Sequence, residues 1–105
     1  MPPGGGVSGS AGRRAAVRYL LESPSLRARC RPLLAGDGSE WAALLAETET
    51  MSTGEQLLVH AAHDLWLGEG AVALSALARG LDGTNFERVV TALRLYRGEA
   101  LPVAA

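Results

Sequence analysis

The chain has no lysine and no isoleucine, and all ten of its basic residues are arginine. Both missing residues have AT-rich codons, so their joint absence reads as the coding bias of a GC-rich bacterial genome, of the actinobacterial kind, rather than as a demand of function. Aromatic residues are also scarce, with one Phe, two Trp and two Tyr in 105 residues. Ala and Leu supply most of the 48% hydrophobic content, so the core has to be assembled from small and aliphatic side chains. That material suits helices, whereas sheets draw on β-branched and aromatic residues that fit a pleated surface. Cysteine occurs once, at Cys30, which excludes an intramolecular disulfide and agrees with a reducing compartment. No stretch approaches the ~20 apolar residues that span a bilayer. The opening MPPGGGVSGSAG lacks the charged and apolar regions of a secretory signal. The expectation is a cytoplasmic protein with no membrane partner.

What is present is an uneven distribution of charge. Residues 1–31 carry six arginines against Glu22 alone, a balance of +5, whereas residues 32–70 carry seven acids and no arginine. The remainder is nearly neutral, and the net charge is −1 with a pI near 6.1. The simplest arrangement packs the basic first segment beside the acidic middle. The sharper one leaves Arg13, Arg14 and Arg18 as a basic face for an acidic partner or nucleic acid.

Residues 1–12 combine Pro2, Pro3 and five glycines with no large apolar side chain beyond Met1 and Val7, so they read as a disordered tail. The rest, residues 13–105, reads as a single all-α domain, a small helical bundle of about five helices. RRAAVRYLLE places Val17, Leu20 and Leu21 at helical spacing. Ser23-Pro24 is expected to cap and open a second helix that stops near Cys30, because Pro32 lacks a backbone donor and disfavours α geometry at Arg31. Ser39 is expected to cap a third helix with Trp41, Leu44 and Leu45 inward. Ser52-Thr53-Gly54-Glu55 matches a capping box, and the helix it opens is apolar nearly all round through Leu67, which makes it central, with Leu58, Leu65 and Trp66 in the core. A short helix over 71–79 and a final one over 84–97 follow, the latter expected to turn Phe86, Val89, Val90, Leu93 and Tyr96 inward. Gly98 ends it.

Three features bear on chemistry. His60, His63 and Asp64, at i, i+3 and i+4, share one quadrant of the central helix and could ligate a metal weakly or couple a titrating imidazole to a carboxylate. Two rings with no further His and no cysteine pair predict a polar strip on a buried helix rather than a tight site. Cys30 has Arg27, Arg29 and Arg31 nearby, and positive charge favours the thiolate. A lone cysteine is more commonly a small buried hydrophobe. No serine elbow, phosphate loop or paired acids at a catalytic spacing occurs, so no enzyme activity and no cofactor are expected.

The third feature is the stretch VALSALARGLDGTNFERVVTALRLYRG, which resembles a helix-turn-helix. Leu77, Ala78 and Leu81 precede the corner, and Phe86, Val90 and Leu93 have the spacing of the buried side of a recognition helix. The resemblance implies a DNA-binding regulator with Thr84, Asn85, Arg88, Thr91 and Arg94 facing the groove. It covers about a quarter of the chain, its turn is short by about two residues, and Asp82 and Glu87 oppose phosphate. The leading expectation is a non-enzymatic regulator or adaptor acting through protein–protein contact or self-association. DNA binding is the alternative, and a weak metal or redox-linked role comes third.

Overall fold

The computed structural model describes residues 3–35, 41–68, 70 and 72–100, and the side chains of all of these except 3–10, 34 and 35. Among the described residues the chain is all-α, with helices α1 (Pro3–Leu21), α2 (Arg27–Ala35), α3 (Trp41–Glu47), α4 (Thr53–Leu67), α5 (Leu74–Gly80) and α6 (Gly83–Tyr96) and no strand. A 3₁₀ turn over Thr48–Thr50 joins α3 to α4.

Helix α1 packs chiefly on α6 and α4, and α4 also meets α3, the 3₁₀ turn, α5 and α6. Gly12 lies against the backbone of Leu95 and Tyr96, while Tyr19, two turns on, meets Arg88. The pairing runs in opposite senses along the two helices, so they are antiparallel. Small residues make the contact possible: a Cβ on Gly12 would lie 2.6 Å from the Tyr96 carbonyl oxygen, and Ala16 and Ala92 are fully buried. Arg13, one position further on, reaches Trp66 of α4 instead. The helix starts at Pro3 rather than at Arg13, and of the stretch read as a tail, Gly12 is buried in the packed part. Its lack of a side chain, read from sequence as a reason for disorder, is what lets α6 approach.

The local signals of the central helix hold in detail. Ser52 Oγ accepts from the Glu55 backbone N–H at 3.2 Å, and a Glu55 carboxylate oxygen accepts from the Ser52 N–H at 3.0 Å. Those hydrogen bonds hold the Glu55 carboxyl below its ordinary value, the backbone bond from Ser52 contributing most. Gly68, at φ 72°, closes the helix in a left-handed conformation. Leu58, Val59, Ala61 and Ala62 are buried, and Leu65 and Trp66 are partly buried against the core.

Two expectations fail for tertiary reasons. Helix α2 continues through Pro32 to Ala35. Leu26, Cys30 and Leu33, at i, i+4 and i+7, are all buried, and that face outweighs the hydrogen bond that proline cannot make. Nor does Ser23-Pro24 open α2; it forms a turn in which the Ser23 carbonyl accepts from Leu26 and Arg27. The expected cap at Ser39 lies outside the described residues. Helix α6 begins at Gly83, capped by Asp82, whose carboxylate accepts from the Asn85 N–H at 2.7 Å.

Candidate functional site

The histidine cluster on α4 is divided by its surroundings. His60 is exposed, whereas His63 is half-buried against Trp41 of α3, with ring centroids 4.8 Å apart and planes tilted by 48°. Asp64 is engaged at the end of its own helix, where its Oδ1 accepts from the Gly70 N–H at 2.5 Å. The spacing that puts the three residues in one quadrant is real, but His63 answers to Trp41 and Asp64 to the backbone of Gly70, while His60 faces solvent. Among the described residues, no group of three or more His, Cys, Asp or Glu is placed to hold a metal ion.

Cys30 is fully buried between Leu26 and Leu33 on the inner face of α2. Burial pushes its thiol up to about 11, with the Glu47 carboxylate adding to the shift and Arg29 only partly opposing it. At neutral pH the sulfur is a protonated, inaccessible thiol. The reading of a lone cysteine as a small buried hydrophobe holds, and the arginines beside it in sequence do not make it reactive because neighbours on a helix point to different sides.

Of the basic candidates Arg13, Arg14 and Arg18, only Arg13 is drawn into the molecule. Arg13 stacks on Trp66, its Cζ 4.7 Å from the ring centroid, and its Nη1 donates to the Trp66 carbonyl at 3.4 Å. Its Nε is buried with no hydrogen-bond partner among the described residues, so the indole face is its principal compensation. Arg18 pairs with Glu22 at 3.1 Å within α1. Arg29 reaches the acidic segment, 3.8 Å from the Glu47 carboxylate and donating to Thr50 Oγ1 at 2.9 Å. Arg14, Arg27 and Arg31 are exposed and make no ion pair among the described residues.

The five residues that a helix-turn-helix reading assigns to the groove do not form one exposed row. Thr84 and Arg94 are exposed, Asn85 and Thr91 are half-buried, and Arg88 is turned back onto α1, where it stacks on Tyr19 and donates to the Tyr19 carbonyl. The rotation of α6 explains this. Its inward residues are Val89, Ala92 and Leu95. Phe86 and Leu93, expected inside, are 39% and 45% exposed, and Tyr96 is 36% exposed.

An outward apolar stripe on α6 is therefore the feature that sequence reasoning missed. Phe86, Val90 and Leu93, at i, i+4 and i+7, lie along one side of the helix, with Glu87 and Arg94 flanking it. Periodicity did not find it, because α6 carries two apolar series, and only the close crossing over α1 favours Val89-Ala92-Leu95, the one with a small residue. Leu74, at the start of α5, is 78% exposed, and Leu67, at the end of α4, is 49% exposed. Among the described residues no helix is long and apolar enough to cross a membrane. No family model matches the chain, and no curated protein or solved structure was found to be similar to it.

Proposed function

We propose that this chain is a non-enzymatic, cytoplasmic regulator or adaptor that acts by protein–protein contact through the outward face of α6. The observation that carries the reading is the exposure of Phe86, Leu93 and Tyr96 on one short helix of a protein that has few aromatic residues to spare. Single exposed hydrophobics are ordinary, but an apolar series at helical spacing is the form in which a helix presents itself to a partner. Three of the residues singled out for chemistry are engaged structurally, which supports this reading. His63 packs on Trp41, Asp64 closes α4, and Cys30 is buried and protonated.

A photo-crosslinking amino acid at Leu93, compared with one at the exposed Ala28 of α2, tests this in the source cells. The reading expects a discrete protein adduct at 93 and none at 28. Nucleic-acid adducts at 93 would favour the DNA-binding alternative, and no adduct at all would remove α6 as an interaction surface.

A further inference from the structure

We propose that the partner for this face is a second copy of the same chain, docked through α6 in an antiparallel pair that sets Glu87 of each copy against Arg94 of the other. The proposal rests on the reading of α6 as an interaction surface and goes further by naming the occupant. Phe86, Val90, Leu93 and Arg97 follow one another at spacings of four, three and four, which is the seam that two helices share. An antiparallel pair with its two-fold axis midway between positions 90 and 93 places Val90 of one copy on Leu93 of the other, twice. It also brings Phe86 of each copy to Arg97 of the other at the two ends, where a guanidinium on a phenyl face is favourable.

Charge selects this arrangement over a parallel one. Glu87 and Arg94 follow Phe86 and Leu93 by one residue, so both lie on the same flank of the seam. Antiparallel helices bring like flanks together and so oppose Glu87 to Arg94, whereas a parallel pair opposes this flank to the other one, which carries Val89 and Tyr96 and no charge. A surface whose own charges complement themselves about a two-fold axis is what an isologous dimer requires. Glu87 makes no ion pair among the described residues. Arg94 has only an exposed partner, Glu99 at 3.6 Å, and an exchange of partners there costs little. A 14-residue helix offers a short seam, so the dimer is of modest affinity and depends on concentration.

The test is sedimentation velocity on the full chain across two decades of concentration, with circular dichroism to show that each variant remains folded. The wild type is expected to shift from monomer to dimer as concentration rises. Leu93→Glu, at an exposed position, is expected to stay monomeric. Glu87→Arg and Arg94→Glu each set like charges opposite one another and are expected to weaken the dimer by about tenfold or more. An equimolar mixture of these two variants restores both attractive pairs and is expected to dimerise again. A role in folding alone would not produce that recovery. A wild-type chain that stays monomeric throughout, or a mixture that fails to recover, overturns the proposal. A monomeric chain whose position 93 still crosslinks to a different protein overturns self-association while leaving the interaction reading standing. A monomer with no adduct removes both.

Discussion

Arg88 lies over the ring of Tyr19, its Cζ 4.6 Å from the ring centroid, and its Nη1 donates to the Tyr19 carbonyl oxygen at 2.9 Å. One side chain thus joins α6 to α1 through both a ring face and a backbone acceptor. Arg88→Ala is expected to cost ~1–2 kcal/mol, from the lost stacking and the charge-assisted hydrogen bond. On duplex DNA, wild type and variant alike are expected to stay in the non-specific range of about 10⁻⁴ to 10⁻⁶ M at physiological salt. Urea denaturation and fluorescence anisotropy read the two effects separately. Submicromolar affinity that disappears in the variant would instead place Arg88 in a DNA interface.

The approach of α1 to α6 at Gly12 can be tested through a single methyl group. In Gly12→Ala the new Cβ would sit 2.6 Å from the Tyr96 carbonyl oxygen and 2.7 Å from that of Leu95, both backbone atoms that cannot swing aside. Separating the helices is expected to cost ~1–3 kcal/mol, more than the ~1 kcal/mol that alanine gains over glycine within a helix. A net gain in the urea midpoint would show that the helices are further apart.

Three leucines rank the burial. Leu58 is fully buried, Leu65 is partly buried against the core, and Leu93 is 45% exposed. Leu58→Ala is expected to cost ~2–5 kcal/mol. Leu65→Ala should cost less, and Leu93→Ala should fall within ~0.5 kcal/mol when measured below the concentration of self-association. A large loss at Leu93 in dilute protein would mean that α6 turns its other apolar series inward.

Cys30 links stability to alkaline pH. Its folded value, near 11, lies above the ordinary 9.0, so the folded state holds the proton more tightly. The corresponding stability is fully present below pH 9 and is lost as pH rises toward 11, at up to ~1.4 kcal/mol per pH unit. The difference between wild type and Cys30→Ala isolates this slope from other titrations. At neutral pH a thiol reagent is expected to label the native chain far more slowly than the chain in urea. Equal labelling rates would mean that Cys30 is accessible.

Much of the fold was legible because it depends on chemistry within a few residues. Ser52 with Glu55, Gly68 and Gly98 each start or stop a helix by satisfying backbone groups or adopting positive φ, and they do so where the sequence indicates. Around the candidate site the same residues were visible while their roles were not. Arg13 and Arg88 read as surface charge until Trp66 and Tyr19 are brought beneath them from residues 53 and 69 positions away.

The sequence by itself therefore determined that this protein is helical, where α4 and α6 begin and end to within a residue or so, and that small aliphatic residues fill its core. Tertiary structure alone decided which side of α6 faces inward. Helical periodicity groups residues onto faces but does not rank two apolar faces of similar strength. Ranking them takes the partner surface, and here Gly12 and Ala16 of α1 admit the face with Ala92, leave Phe86 and Leu93 outside and leave Val90 half-buried between them. The passage of α2 through Pro32 has the same kind of cause: a local rule about one missing hydrogen bond yields when burial of Leu26, Cys30 and Leu33 depends on the helix continuing.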